Sequence, residues 1–403
     1  MAQASGVYKI VSYKSANTAG IAAAGSGAKQ MRRVSAMVDL NKDTYASNEI
    51  RSDLQDVDFR HGVRRGAAKI GGEVSPGSYA DFMAGSCKRD FAVVAAITGL
   101  TLTIAGSGPI YTITRSAGSW LTSGLKNGMV FRLTAGTFTA SNLNKNIVVA
   151  SQTALVLTVY VLNGSGLVAE GPIATATATP TGKSTFVPLS GHIEKYFSIE
   201  EWYPEVPASF TGYDLRVSSM NVSLPATGLA TCNFDLMGVD VVDAAAQRFT
   251  TPTALTTAGV TAAVNGVMLY AGVAVAVITA LDFTSASTYS GDPVVGSNNI
   301  PSLTPGRVLV TGNASVKFID TAFRAAFVNE TEVDLAVVLS SSNAAAADFI
   351  GFVMSRVKLN GNSRDDGEKE IIQTVPFKAL LNTAGGASAA TEATTLLIQD
   401  SLA

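Results

Sequence analysis

In the stretch "RVSSMNVSLPATGLATCNFDLMGV", residues 216–239, apolar and polar side chains alternate with a period of two on both sides of a "PATG" turn. Met220, Val222 and Leu224 fall on one side, and Ser219, Asn221 and Ser223 on the other. After the turn, Ala230, Cys232, Phe234 and Leu236 stand opposite Thr231, Asn233 and Asp235. Successive side chains of a strand point to opposite faces, so this spacing is that of a hairpin with one dry and one wet face. The alternation returns in "RVLVTGNASVKFID", with Val308, Val310, Gly312, Ala314, Val316 and Phe318 in phase. Helical signals are few: "SPGSYADFMAGS" and "DTAFRAAFVN" each predict one short helix. Such a chain folds mainly as β.

Composition narrows its surroundings. Charged residues are 15% of the 403, against roughly 25% in ordinary soluble domains, while Ala, Val, Gly, Thr and Ser abound. A surface so poor in charge is expected to be covered, and neighbouring copies of the same chain are the simplest cover. The net charge of −2 argues against a protein that coats nucleic acid. Cys87 and Cys232 lie far apart with no CxxC partner, which predicts buried thiols rather than a disulfide or zinc site. No cofactor is expected. "MAQASGVYKIV" lacks the pattern of a signal peptide. The most apolar run, "VMLYAGVAVAVITAL" at 267–281, falls short of the roughly 20 residues a membrane helix needs. It reads as buried strand in a soluble chain made in a cytoplasm.

At this length two or three domains are expected, and the order of signals repeats. "SAMVDL" leads into a long polar excursion, the strand "AAKIGGEV" and a short helix with Tyr79 and Phe82. "ITALDF" leads into "TSASTYSGDPVVGSNNIPSLTPG", the strand "RVLVTGNASV" and a short helix with Phe323 and Phe327. Each half closes with a hairpin, the second being "SRVKLNGNSRDDGEKEIIQTVPF". We read two copies of one β-sandwich, the first at 1–91 and 184–243, the second at 244–403. Residues 92–183, rich in Thr, Gly, Ala and Ser with regularly spaced turns, read as an inserted outer domain, a small barrel or an immunoglobulin-like sandwich. "GPIATATATPTGKS" reads as the linker back.

"SNEIRSDLQDVDFRHGVRRGAAKIGGEVSPGSYADFM", residues 47–83, is unlike the rest, with ionisable residues at nearly every second position from Glu49 to Arg65. Ser47, Glu49, Ile50, Arg51, Ser52, Asp53 and Gln55 give S-x-E-I-R-S-D-x-Q, and Asp58, Arg60 and Gly62 give D-x-R-x-G. Gly72 on the next strand and Ser78, Tyr79 and Asp81 on the helix follow. This region resembles the signature of bacteriophage tail tube proteins, the major tail proteins of long-tailed phages. The insertion and the closing hairpin "VSSMNVSLPATGLATCNFDLMGVD" resemble parts of the same family, and the second copy resembles its fold more loosely, without the charged loop. The resemblance implies two tail-tube-type β-sandwiches, each with a short helix. It also implies rings that stack into a hollow tube of the virion tail, assembled in the host cytoplasm, through which DNA passes without specific binding. Expected partners are the chain itself, in rings of three with pseudo-sixfold symmetry or of six, and other tail proteins such as tape measure and terminator. No membrane and no enzymatic activity are expected. Long uncharged edge strands are aggregation hazards unless paired, and ring closure removes them.

The charged loop admits three readings. Asp53, Asp56, Asp58 and His61 are candidate metal ligands or catalysts, but their spacing matches no calcium loop or HExxH motif. A merely solvated loop is the plain alternative. We favour an inter-ring or inter-subunit contact in which alternating charges set register, carried by Glu49, Arg51, Asp53, Asp58, Arg60, His61, Arg64 and Arg65. Elsewhere, "GSGAKQMRR" has no phosphate-loop spacing and reads as linker, and "GHIEKYF" reads as a surface strand rather than an acid–base site. Trp202 and Tyr203 read as packing anchors before an edge or loop at Pro204 and Pro207. The rival class is another β-rich virion or surface-assembly protein whose inserted domain binds a ligand.

Overall fold

The structure, a computed structural model, describes residues 3–16, 18–366 and 368–403. The start of the N-terminal stretch and Gly367 in the "GNSRDDGEKE" hairpin tip lie outside the described residues. The chain begins with β1 (Ile10–Ala16), β2 (Lys29–Gln30), β3 (Ser35–Ala46), β4 (Phe59–Glu73) and helix α1 (Ala80–Cys87). Six strands follow: β5 (Ile97–Ala105), β6 (Ile110–Arg115), β7 (Val130–Ala135), β8 (Ile147–Gln152), β9 (Val156–Val161) and β10 (Glu170–Pro180). The first unit resumes with β11 (Lys183–Phe186), β12 (Tyr196–Tyr203), β13 (Ala208–Pro225), β14 (Thr231–Gly238) and β15 (Asp240–Ala244). The second opens with β16 (Gly266–Tyr270), β17 (Val273–Ala274), β18 (Ile278–Ser290), β19 (Thr304–Lys317) and helix α2 (Ala322–Val328). It closes with β20 (Val333–Ser340), β21 (Phe349–Leu359), β22 (Ser363–Arg364), β23 (Ile372–Ala379) and β24 (Leu397–Asp400).

The same pairings occur twice. In the first unit β1 pairs with β2 and β12, β12 with β13, β13 with β14 and β15, β14 with β4, and β4 with β3. In the second, β16 pairs with β17 and β20, β20 with β21, β21 with β23 and β24, β23 with β19, and β19 with β18. Each unit turns on one long strand, β13 or β21, whose first half belongs to an outer sheet and whose second half belongs to an inner one. A register irregularity in each, at Val217/Ser219 and opposite Leu335/Met354, marks the change of sheet.

The units are joined edge to edge. β13 pairs with β18 from Ser219↔Ala286 to Pro225↔Ala280, making one eight-stranded inner sheet in the order β3, β4, β14, β13, β18, β19, β23, β21. Its register can be followed across all eight strands. Ala36, Ile70, Phe234, Met220, Ser285, Val310, Ala379 and Val357 form one row on the packed face. Ser35, Gly71, Asn233, Asn221, Thr284, Thr311, Lys378 and Lys358 form the neighbouring row on the open face. The alternation read from the sequence separates these two faces. Behind the packed face lies α1, whose Phe82 stacks on Phe197 at 4.7 Å and leans on Tyr13 at 4.8 Å. Cys87 and Cys232 are both buried as free thiols.

The insertion closes into a six-stranded barrel, in the order β10, β5, β6, β9, β8, β7. Its interior is filled by side chains such as Trp120, Phe131, Ile113 and Leu157, all fully buried. Two expectations need correction. Most of the stretch read as a returning linker is β10, a barrel stave, because Ala176 and Ala178 are small enough to close the interior without bulky apolar residues. Residues 191–195 form no surface strand. Glu194 there accepts hydrogen bonds from Lys88 Nζ at 2.6 Å and Tyr289 Oη at 2.8 Å, tying the first unit to β18. The apolar run at 267–281 is strand in three pieces, β16, β17 and the start of β18, split by the turn at Ala271 and Gly272.

The barrel is also not free-standing. Its core is continuous with Leu269, Ala336, Val338, Phe349, Val353 and Leu397 of the second unit. Gln399 clamps the joint: its Nε2 donates to the carbonyls of Val130 and Thr181, and its Oε1 accepts from Val130 N. β11, on leaving the barrel, pairs with β24 of the second unit rather than with a strand of its own.

Candidate assembly interface

β3 and β4 run together past the body of the sheet to Ala46↔Phe59, and Ser47 N donates to Asp58 O at 3.0 Å at the mouth of the loop. The loop charges are largely answered at home. Arg51 grips Asp53 with two nitrogens, Nη2 to Oδ2 at 2.8 Å and Nε to Oδ1 at 3.1 Å. The guanidinium hydrogen bonds hold the Asp53 carboxyl below its usual range. Arg60 pairs with Asp58 at 2.8 Å, and Arg65 lies 3.4 Å from Asp43. His61 meets Phe59 edge-on at 5.4 Å. Glu49 makes no ion pair among the described residues, and no three His, Cys, Asp or Glu side chains there gather as a metal cluster. With Asp56 also outside any ion pair among the described residues, the loop keeps a net negative charge. It offers a partner apolar surface as well: Ile50 and Leu54 are almost wholly exposed, with Val57 and Phe59 beside them. Attention to charge alone missed these residues, although Ile50, Leu54 and Val57 are spaced through the charged run.

Arg64 faces elsewhere. Its Nη2 lies 2.7 Å from the buried Asp240 carboxylate and its Nε donates to Asn299 Oδ1 at 2.6 Å. Asn299 belongs to the β18–β19 loop, the counterpart of the charged loop in the second unit. That loop folds back over the β13–β18 joint onto the first unit. Arg64 N donates to Asn298 O at 2.9 Å, Arg216 Nη1 donates to Leu303 O at 2.6 Å, and Ile300 and Leu303 are buried beside Val63 and Val239. Of the eight candidate residues, Glu49 to His61 are thus gathered on one projecting hairpin, while Arg64 and Arg65 sit at its root.

The two margins of the inner sheet lack a partner among the described residues. β3 pairs only with β4, and β21 beyond Val357 pairs only with β23. Ion pairs stand beside the second margin, Arg356 with Glu332 at 2.6 Å and Lys358 with Glu330 at 3.2 Å, as charges that guard an edge against indiscriminate pairing.

Comparison with known proteins agrees with this geometry. A family model described as phage tail tube protein matches residues 8–379, nearly the whole chain. No curated protein matches. A doubled β-sandwich with an unpaired margin at each end and a projecting hairpin is thus found in a chain that belongs to the phage tail tube protein family.

Proposed function

We propose that this structural protein of the phage tail closes into a ring of three, with pseudo-sixfold symmetry, by laying β3 of one copy against the β21 margin of the next. The observation that carries this reading is the β13–β18 pairing. It already joins the two units of one chain edge to edge and leaves the equivalent margins, β21 and β3, open at the ends. Three chains then supply six equivalent sandwiches. Rings stack into a conduit for the genome, the charged hairpin takes part in the contacts between copies, and tape measure and terminator are the other tail partners.

The open face of the inner sheet would line the conduit. Its rows are mostly hydroxyl and amide, as in Asn233, Asn221, Thr284 and Thr311, and Lys69 has Asp235 directly across the ladder. Such a face gives DNA few uncompensated cations to bind, so phosphates pass without a counterion-releasing grip. No helix among the described residues is long and apolar enough to cross a membrane. The packed barrel interior argues against the rival in which the insertion holds a ligand there. Electron microscopy of the purified protein tests the proposal: hollow tubes with a regular axial repeat are expected, and globular monomers at every concentration would refute it. Arg51→Glu or Asp53→Arg, which put like charges side by side on the hairpin, should block tube growth and leave folded monomers or single rings.

A further inference from the structure

We propose that a slot where the start of β19 meets the first unit receives the β3–β4 loop of the neighbouring copy in the same ring, with Leu54 as its main plug. The inference rests on the ring reading and adds a register and a receptor to it. The slot, a cavity of about 480 Å³, is lined by Val308 and Leu381 of the second unit and by Val187 and Leu189 of the first, with Arg307 and His192 beside them. It sits at the start of β19 and just past the end of β23. In the first unit the corresponding place is the start of β4 and the end of β14, where Val63 and Val239 lie, and there it is filled. Ile300 and Leu303 of the β18–β19 loop occupy it, 1% and 4% exposed. That loop reaches it because β18 is paired with β13 of the unit it leans upon.

Ring closure repeats the joint. When β3 of the next copy lies along β21, its β3–β4 loop arrives over the second unit as the β18–β19 loop arrives over the first. The two sides suit each other. The loop holds Ile50 and Leu54 in solvent at 102% and 93% exposure, and the slot leaves Leu189 and Leu381 uncovered at 66% and 39%. Asp56 on the loop and Arg307 on the rim are opposite in charge, and neither makes an ion pair within the chain among the described residues. One internal contact is therefore the template for the contact between copies. The duplicated chain has kept the pair of loops while dividing them between an intramolecular and an intermolecular slot.

The test is a Leu54→Cys, Leu381→Cys double variant treated with a short bis-maleimide, the native thiols of Cys87 and Cys232 being buried. A reducing denaturing gel should show a closed covalent ring of fixed size, absent from either single variant. Ladders of unlimited length would mean that the loop reaches another ring, and uncross-linked monomers alongside normal tubes would mean that it docks elsewhere. Both outcomes overturn the slot while leaving the tube reading intact. If the unmodified protein forms no rings or tubes, the two readings fall together. Leu54→Asp supplies an independent arm. Its melting temperature as a monomer should be unchanged, and the concentration needed for assembly should rise about tenfold or more. Assembly at the original concentration would overturn the proposal.

Discussion

Gly182 marks the point where the chain leaves the barrel, at φ 72°, and a Cβ there would collide with the Asp400 carbonyl oxygen and lie 2.5 Å from Ser401 Cα. Neither neighbour can move easily, since both are backbone, Asp400 at the end of the strand that β11 pairs with and Ser401 directly after it. Gly182→Ala should therefore destabilise the fold by about 2 kcal/mol or more, through the left-handed backbone and the clash together, read as a lowered thermal midpoint. Asp400 itself is buried, and burial pushes its carboxyl up to about 6 despite hydrogen bonds from Gly77 N and Leu402 N. A raised carboxyl favours the fold below its unfolded value near 4 and loses that advantage as pH rises through 6. The span corresponds to at most about 3 kcal/mol. Asp400→Asn cannot ionise, so its midpoint should fall less than that of the unmodified protein between pH 4.5 and pH 8. Equal slopes in the two proteins would remove Asp400 from this role.

At the scale of elements, the long strands decide the architecture, and they were only half legible. The second half of β13 and all of β14 follow from the alternation of Met220, Val222 and Leu224 against Asn221 and Ser223. The two helices follow from the short helical signals in "SPGSYADFMAGS", after its Ser-Pro start, and "DTAFRAAFVN". The first half of β13 carries no such pattern, since Thr211, Asp214 and Arg216 are buried there by hydrogen bonds and ion pairs, as in Arg216 Nε to Asp214 at 3.0 Å. β10 was missed for the opposite reason: Ala and Thr make a stave that looks like a linker. The joint between the units depends on packing behind β18. Phe283 is fully buried and meets Phe352 of β21 edge-on at 5.2 Å. Phe283→Ala should cost about 4 kcal/mol in a urea titration, because the ring bridges both layers of the second unit and no neighbour can fill the void.

For the whole molecule, the barrel acts as a staple rather than an ornament. It is inserted in the first unit, yet its core is shared with Leu269, Val338, Phe349 and Leu397 of the second. Replacing residues 96–180 with a short Gly-Ser linker should therefore not yield a slimmer tube subunit. It should uncover that apolar face and give a chain that aggregates, seen as loss from the soluble fraction and from a discrete sedimenting species. A deleted chain that remained monodisperse and well folded would make the barrel independent after all.

The sequence alone determined the β character, the two helices and the run of charge from Glu49 to Arg65, because each is written in neighbouring residues through period, turn chemistry or composition. Tertiary structure alone decided which unit the barrel leans on, that Arg64 serves Asp240 and Asn299, and that one loop is docked while its twin shows Ile50 and Leu54 to solvent. Those outcomes depend on side chains far apart in the chain and brought together by sheet register. Local pattern fixes which face of a strand is dry, but it carries no information about which distant surface will keep it so.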